Sequence, residues 1–466
     1  FERWALQRGL AATGYVRESP ENRLLQGATG IDAVRADLAA TIWTTMGGSG
    51  PLHRESRYLR ALAVADTRGL DEQDWEVLRA TGLSHLIAIS GLHVGLVAGF
   101  AALLVRLLYR LLPGLGLRLP VPISAALAAL GGASGYAALA GFGLPTLRTV
   151  AMLAAVVLAV LARRAQSTWQ AYGIAVLALL LFDPLGILGA GFWLSFAGVA
   201  WLLWCLPGSE RATPRWQQWL QVQWVASLAL LPLTVWFFGQ ASLLGFAVNL
   251  LAVPWVTLVV VPLDLVASAA LLAQQAWLAE PLLSLAAWAM NTPMQWLADS
   301  PSWPMARLFL PEPDRISLLL ALLGAAILLL PRGVPGKALG GILLLPLFWP
   351  RIDKPELGSL DVHVLDVGQG LAVLLRTANH SLLYDTGPRY GSGLDMGEAA
   401  VVPAMRALGI KDLDRLLVSH GDADHAGGMH AVLRAFPADL SSSATQQMPR
   451  ARACQRGEAW QWDGVE

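Results

Sequence analysis

The chain has 466 residues, of which 55% are apolar and only 14% are charged, and its formal net charge is zero. This length exceeds a single ordinary domain, and the composition lies far from that of soluble proteins. It predicts a polytopic membrane protein with soluble ends, and it excludes nucleic-acid binding through an overall basic charge. The two cysteines, Cys205 and Cys454, form no disulfide framework and belong to no C-x-x-C motif.

The first 85 residues are more polar than the long apolar region after them. Residues 1–16 are typical of the last strands of a small β domain, and residues 32–46 and 71–79 have helical spacing. Because the chain opens at Phe1 without an initiator methionine and ends at Glu466 within a domain, we expect it to be a fragment at both ends.

Four arginines of this region allow two interpretations. They can form a basic patch that faces phosphate, or they can lie on a solvated helix face, and the sequence favours the solvated face. The four are Arg54, Arg57, Arg60 and Arg68.

From residue 86 onward the chain becomes apolar in blocks, several of which reach the roughly 20 residues that cross a bilayer core. The seventh block contains Pro254 and Pro262, which are expected to break its helix. Three tryptophans within residues 288–303 indicate an amphipathic segment at a membrane interface. The candidate spans are residues 86–112, 121–141, 144–162, 169–182, 187–206, 222–238, 243–273, 316–330 and 338–350.

Basic residues in the short loops predict the orientation of these spans. They follow the first, third, fifth and eighth spans, and short loops rich in lysine and arginine stay in the cytoplasm. By alternation, we expect both the N-terminal region and the C-terminal domain on the extracytoplasmic side. The residues concerned are Arg106, Arg110, Arg118, Arg163, Arg164, Arg211, Arg215, Arg332 and Lys337.

Polar side chains inside the predicted spans are candidates for a transport channel. Ser90 and His93 lie where the first span begins, and Arg148 lies just inside the third. Ionisable groups in a bilayer are costly and usually face a bundle interior or a wet path. Structural interpretations stay open, because small residues around His93 suit helix packing and Arg148 can extend to the interface. Asp264 lies deeper in a span, without an obvious neighbour of opposite charge.

The tail from about residue 353 has the pattern of a soluble domain, with strands expected near residues 360–376, 381–387 and 416–418. Two imidazoles and two carboxylates follow the last of these strands within six residues, separated by small residues. Such ligands suit zinc, manganese or iron, and a tight loop can direct them at one or two ions. A metal held there lowers the pKa of bound water toward neutrality. A solvated polar turn is the alternative interpretation. The four side chains are His420, Asp422, Asp424 and His425.

The combination of motifs resembles the ComEC family, the DNA-uptake channels of naturally transformable bacteria. The competence domain of that family is matched by residues 61–70 (A-L-A-V-A-D-T-R-G-L), 81–95, 145–152, 192–196 (F-W-L-S-F) and 249–254. The loop at residues 419–428 resembles the H-x-H-x-D-H motif of metallo-β-lactamase-like hydrolases, with Asp422 in place of the second histidine.

The resemblance implies a polytopic α-helical membrane protein with three further parts. These are the tail of an extracytoplasmic OB-like β domain at residues 1–30, a helical connecting region at 31–85 and a metallo-β-lactamase-like α/β domain at 355–466. The transmembrane competence domain, which forms the channel, would occupy residues 86–350. The α/β domain would be truncated, because further ligands expected of this fold lie beyond residue 466.

The resemblance also implies the metal ligands. His420 and Asp422 would help to hold one ion, and Asp424 and His425 would hold the other. The ions would be zinc or manganese.

Three acids receive further roles from the resemblance. Asp385 would brace the metal loop and would act with Asp424 in catalysis, and Asp366 would orient the site. Leu371 stands where many relatives carry an acid, and this departure weakens a metal role for the loop at residues 366–371.

The implied function is an inner-membrane channel that passes one strand of transforming DNA, with an external domain that hydrolyses the other strand. Expected partners are DNA, single-stranded in the channel and duplex at the outer face, the membrane, a DNA-delivery receptor, a cytoplasmic ATPase and a second copy of the chain. The sequence holds no G-x-x-x-x-G-K-[ST] loop, so we expect the driving force to come from a partner ATPase, a gradient or binding of the entering strand. Two alternatives stay open: a transporter or exporter with a non-catalytic tail, and a membrane-anchored metallo-hydrolase of small substrates.

Overall fold

A computed structural model of the protein divides the chain into two compact units, Phe1–Leu230 with Ser242–Leu308, and Leu231–Ala241 with Phe309–Glu466. The expected OB-like remnant lies largely outside the described residues, and those of residues 1–30 that are described carry no strand, so the remnant stays a prediction. The structure describes residues 6, 19–23, 27–47, 54–117, 119–162, 167–205, 214–303, 306–331, 333–391, 393–446, 448 and 451–466.

Within its described residues, the part of the chain before Gly91 contains four helices: α1 (Gly30–Thr45), α2 (Ser56–Val64), α3 (Glu72–Ala80) and the short α4 (Ser84–Ile87). The helical spacing predicted at residues 32–46 and 71–79 corresponds to α1 and α3. Helix α3 begins with a capping box, in which Asp71 accepts the Asp74 N–H at 2.9 Å and Asp74 accepts the Asp71 N–H at 3.0 Å.

The apolar blocks form helices that expose large hydrophobic side chains, such as Leu181 and Phe182, which are 77% and 80% exposed. Among the described residues, five stretches are long and apolar enough to cross a membrane, namely Gly91–Leu111, Val121–Leu139, Leu144–Leu161, Trp216–Phe238 and Leu243–Leu272. The helices are α5 (Gly91–Leu111), α6 (Val121–Leu139), α7 (Leu144–Leu161), α8 (Thr168–Phe182), α9 (Ala190–Cys205), α10 (Arg215–Phe238), α11 (Leu243–Trp255), α12 (Val261–Leu272) and α13 (Ala276–Leu297).

The break predicted at two prolines is a widened turn within one long helical stretch. Pro254 lies inside α11, Pro262 lies at the start of α12, and Val256–Val260 between the two helices form a π-helical turn. A proline has no N–H, so it leaves the carbonyl one turn earlier without its helical donor. The wider turn accommodates this loss without ending the helix.

Tryptophan side chains replace the donors that two prolines lack. Pro254 cannot donate to Leu250 O, and the Trp219 indole N–H donates to that carbonyl at 3.2 Å. Pro293 in α13 likewise cannot donate to Ala289 O, and the indole N–H of Trp255 donates there at 2.8 Å. These side chains satisfy backbone carbonyls that the helices themselves leave unpaired.

We expect Trp255→Phe to destabilise the protein by about 1–3 kcal/mol, because it leaves the Ala289 carbonyl unpaired. In a Pro293→Ala background the new N–H donates to that carbonyl, so the same change should cost less. Thermal unfolding of the four proteins in detergent gives the coupling energy, expected at about 1 kcal/mol.

The matched control is Trp288→Phe, which lies on α13 with Pro293 and is 55% exposed. It should have a similar small effect in both backgrounds. Equal costs of Trp255→Phe with and without Pro293 would contradict the compensation.

Each arginine of the predicted basic patch forms an ion pair with an aspartate, so its charge is compensated within the protein. Arg57 is buried, and this excludes it from a solvated helix face. The pairs are Arg54–Asp71 at 3.1 Å, Arg57–Asp71 at 3.1 Å, Arg57–Asp74 at 2.6 Å, Arg68–Asp66 at 2.8 Å and Arg60–Asp66.

The guanidinium groups of Arg68 and Arg60 hold the pKa of Asp66 below its ordinary range. A lowered pKa stabilises the folded state above the pKa of an unfolded aspartate, about 3.9, and this contribution is lost as the pH falls through the folded pKa. We therefore expect Asp66→Asn to lower the thermal midpoint at pH 7 and to differ less from the wild type below about pH 4.

Glu72→Gln serves as the control, because the Glu72–Arg79 pair is more exposed. It should shift the thermal midpoint less than Asp66→Asn at pH 7. An Asp66→Asn effect that is the same at both pH values would contradict the ion-pair explanation.

The second unit contains an apolar helical hairpin, α14 (Arg315–Leu329) and α15 (Lys337–Phe348). A Cβ on Gly324 would lie 2.6 Å from Gly340 O, so glycine permits the close approach of the two helices. Lys337 Nζ donates to the carbonyls of Ile327 and Leu328 at 2.9 and 2.7 Å, which caps the end of α14.

The predicted α/β domain follows as a six-stranded mixed sheet in the order β3-β4-β5-β6-β7-β8. The first three strands pair antiparallel and the last four pair parallel. The strands are β3 (Asp361–Val364), β4 (Val373–Arg376), β5 (Ser381–Tyr384), β6 (Arg415–Val418), β7 (Asp439–Ser442) and β8 (Arg452–Ala453); β1 (Gln240–Ala241) and β2 (Leu308–Phe309) lie outside this sheet. The helices are α16 (Val402–Ala407), α17 (Ala423–Ala426) and α18 (Met429–Ala435), and Gly397–Val401 form a π turn.

The core of this domain lies between the sheet and its helices, and contains Leu374, Leu383, Leu416, Met405 and Val432. Because β5 and β6 are parallel, their carboxyl ends meet at one edge of the sheet. The segments that follow these two strands therefore lie side by side, and they carry the predicted metal loop.

Candidate metal centre and intramembrane polar site

Asp385 lies directly after β5 and is fully buried. Its φ of 59° is in the left-handed region, which is uncommon for a residue other than glycine. Its Oδ1 accepts the Ser419 N–H at 2.7 Å, and its Oδ2 accepts the Ser419 hydroxyl at 2.8 Å and His425 Nδ1–H at 2.7 Å. One carboxylate thus joins the ends of two parallel strands and fixes one ring of the metal loop.

Three predicted ligands come together after β6. One ligand atom each from His420, Asp424 and His425 lies within 4.8 Å of the others. The two imidazole rings are 4.1 Å apart between centroids, and Asp424 Oδ2 lies 3.7 Å from His425 Nε2. The Nδ1 atoms are engaged, His425 with Asp385 and His420 with Ser419 Oγ at 2.8 Å.

These residues fit a divalent metal ion. Because His425 Nδ1 donates to Asp385, its Nε2 carries no proton when the ring is neutral and is free to bind a metal. A carboxylate behind a histidine ligand orients the ring and raises its basicity, which is the usual support of a metal-binding histidine. Two imidazoles and one carboxylate form a donor set suited to zinc or manganese.

Two other predicted acids are not members of this group, although Asp422 lies beside His420. The Asp422 side chain is 74% exposed, and its Oδ2 lies 3.3 Å from His420 Nε2. The exposed Asp366 accepts the Gly368 N–H at 3.2 Å within its own turn. That His420 and Asp422 hold one ion together, and that Asp366 orients the site, remain predictions.

Backbone contacts hold the loop in ways the sequence did not indicate. Thr386 donates to His425 O through its N–H at 2.8 Å and its hydroxyl at 2.9 Å. Leu371, predicted to weaken a metal role, donates its N–H to Asp424 O at 3.2 Å. A Cβ on Gly427 would lie 2.2 Å from Arg389 N, so only glycine permits this close approach. The glycines after the histidines were the only sequence signal of this packing.

We expect Asp385→Asn to weaken zinc or manganese affinity about 10- to 100-fold, because the amide cannot hold the His425 ring as a carboxylate does. Calorimetric titration of the purified protein with each metal measures this loss. Asp361→Asn, an exposed aspartate of the same domain, is the control and should bind as the wild type does. Unchanged affinity in Asp385→Asn would contradict the bracing role.

Ser90 and His93 lie at the start of α5, where the Ser90 N–H donates to His93 Nδ1 at 3.5 Å. His93 is fully buried, and among the described residues neither its Nε2 nor Ser90 Oγ has a hydrogen-bond partner. Buried polar groups normally have partners, so these atoms are available to a ligand.

Near its N-terminal end, helix α7 contacts the first residues of both α5 and α9. A Cβ on Gly91 of α5 would lie 2.5 Å from Thr149 Oγ1 of α7, and a Cβ on Gly191 of α9 would lie 3.5 Å from Arg148 Nη1. Arg148 is buried, and its Nε has no partner among the described residues. The three candidate channel residues therefore lie near the contacts that α7 makes with the starts of α5 and α9.

Helix N-termini carry partial positive charge and orphan N–H groups, which attract anions. A buried guanidinium adds a full positive charge with planar donors that match phosphate. The arrangement is suited to a passing or bound anion.

Outward-facing apolar helices and a mixed sheet with a metal loop after β6 define a membrane protein with a metallo-β-lactamase-type domain. The sequence matches the "Competence protein" family over residues 62–335 and the metallo-beta-lactamase superfamily over residues 365–446. The chain belongs to the competence protein family, the ComEC family that its motifs resemble.

Relatives are known from several bacteria. Competence protein ComA of Neisseria gonorrhoeae is 37% identical over 100% of the chain, Uncharacterized protein YcaI of Escherichia coli (strain K12) 31% over 93%, and Recombination protein 2 of Haemophilus influenzae 29% over 100%. The chain spans 64%, 57% and 62% of the lengths of these relatives. No solved structure matches it.

Proposed function

We propose that this protein is a DNA-uptake channel of natural transformation. It moves one strand of DNA across the inner membrane, while its metal-dependent domain degrades the other strand outside. Membership of the competence family supports this proposal, as do the names "Competence protein ComA" and "Recombination protein 2" of two relatives.

The channel proposal rests mainly on the polar groups and helix ends that lie near Arg148. A DNA strand is a polyanion, and a bilayer offers it no compensating charge. The guanidinium of Arg148, the Nε2 of His93 and three helix N-termini supply donors and positive charge where the strand would pass. An anchor for a soluble enzyme has no need of such groups.

The metal loop carries the proposed nuclease activity. A divalent ion held by His420, Asp424 and His425 would supply Lewis-acid polarisation of a phosphoryl oxygen and an acidified water. Asp385 keeps the His425 tautomer fixed through its hydrogen bond to Nδ1. The Asp424 side chain, which is 47% exposed, is open to solvent and is the carboxylate proposed to position a water and accept its proton.

Orientation and partners form part of the proposal. The basic loops assign the far ends of α5, α7 and α9 to the cytoplasm, and the contacts among the N-termini of these helices agree with three parallel spans. The soluble regions at residues 1–85 and 355–466 would then face outward, with the channel at residues 86–350. We further propose a DNA-delivery receptor, a cytoplasmic ATPase and a second copy as partners.

Uptake of labelled DNA into the cytoplasm of cells expressing the protein tests the channel. We expect Arg148→Gln to reduce uptake about tenfold or more, because it removes a charge-assisted contact in a dry site. Arg148→Lys keeps the charge and should retain part of the uptake.

Arg110→Gln is the control, because Arg110 is exposed near the other end of α5 and should leave uptake unchanged. Equal uptake by Arg148→Gln and wild type, at equal amounts of protein in the membrane, would refute the channel assignment. Loss of export of a small solute with intact DNA uptake would favour the exporter instead.

A further inference from the structure

Asp264 of α12 is a buried carboxylate without a counter-charge. It is 0% exposed, and neither Oδ1 nor Oδ2 has a hydrogen-bond partner among the described residues. Its surroundings are apolar, with Val261, Ala267 and Leu283 of the same core cluster fully buried. An unpaired carboxylate charge in such a site costs many kcal/mol, so it has to be neutralised either by a proton or by a bound cation.

The two buried tyrosine hydroxyl groups of the surrounding apolar clusters donate their hydrogen bonds to groups other than Asp264. Tyr136, on which Asp264 acts electrostatically, donates its hydroxyl to Leu62 O at 2.7 Å. Tyr58 donates its hydroxyl to Asp74 Oδ1 at 2.7 Å. Both protons are used elsewhere, which leaves the Asp264 oxygens as acceptors.

A second oxygen lies on the same face of the helix. Ser268 follows Asp264 by four residues in α12, is 5% exposed, and its Oγ has no partner among the described residues. Residues four apart in a helix are neighbours. The two side chains are therefore close in space, yet they are not hydrogen-bonded to each other.

The π turn that precedes α12 contains a further oxygen atom without a hydrogen-bond partner among the described residues. Val256–Val260 form the π turn, Thr257 Oγ1 in it is buried without a partner among the described residues, and Pro262 has no N–H to give to the carbonyls of that turn. π turns are frequent at functional sites because they redirect backbone groups.

These groups are all oxygen acceptors and carry a single negative charge. Oxygen ligands suit hard cations, and one carboxylate balances one positive charge. A divalent ion would leave an uncompensated positive charge in the apolar core. A proton on Asp264 would occupy one carboxylate oxygen, and the second carboxylate oxygen and the hydroxyl oxygens would still have no partner.

We propose that Asp264 and Ser268, beside the π turn of this span, form a binding site for a monovalent hard cation of the sodium class. The site is separate from the metal loop and from Arg148, and it does not depend on the proposed transport of DNA.

Binding of radioactive sodium to the purified full chain in lipid nanodiscs, in sodium-free choline buffer, tests this proposal. We expect saturable binding of one ion per chain that unlabelled sodium chloride displaces and choline chloride does not. Asp264→Asn should abolish it, and Ser268→Ala should weaken it about tenfold, as expected for loss of one polar contact. Asp299→Asn, an exposed aspartate with the same charge change, should bind like the wild type.

Sodium should also raise the thermal midpoint of the wild type and of Asp299→Asn, but not that of Asp264→Asn, since a ligand of the folded state stabilises it. Absence of saturable sodium binding to the wild type, which leaves only a proton on Asp264, would overturn the proposal. Sodium binding that is unchanged in Asp264→Asn would also overturn it. If Asp264→Asn does not fold, Ser268→Ala decides, because unchanged affinity there refutes the site.

Discussion

Polar groups buried in the membrane helices have to find partners within the protein, because the bilayer offers no water to satisfy them. The indole of Trp255, within the span Leu243–Leu272, meets this constraint by donating to the Ala289 carbonyl that Pro293 leaves without a donor. For the same reason, buried polar atoms that lack a hydrogen-bond partner are notable. Arg148, His93 and Asp264 keep buried atoms without partners among the described residues, and each marks a place where a ligand would complete the structure.

In the metal loop, by contrast, both oxygens of the central carboxylate, that of Asp385, have hydrogen-bond partners. Asp385 is fully buried and holds Ser419 and His425 through three short hydrogen bonds. Parallel pairing of β5 and β6 brings these residues together, so the sheet itself positions the ligands. Gly427 then lets the following chain segment pass against its neighbour. The result is a set of candidate metal ligands held from behind by fixed hydrogen bonds, which is the support that a metal site requires.

Local patterns predicted the helices and strands well, since apolar periodicity reflects burial or lipid contact of neighbouring residues. The position of the metal loop could be predicted because its four candidate ligands lie within six residues, although the pattern could not show that His420, Asp424 and His425 bring ligand atoms within 4.8 Å of one another. Contacts between residues distant in the sequence could not be predicted, because no local pattern indicates that Gly191 lies against Arg148. The π turn was also missed, because two prolines alone predict a break and the compensating side chain is distant in sequence.

The fate of the two DNA strands tests the account most directly. Duplex DNA labelled differently on each strand would be given to cells carrying wild-type protein or the His420→Ala/Asp424→Ala variant. The account predicts that, with the wild type, one label enters the cytoplasm while the other appears outside as acid-soluble fragments in similar amount, and that the variant loses the fragments. Entry of both strands together, or undiminished fragment release by the variant, would contradict it.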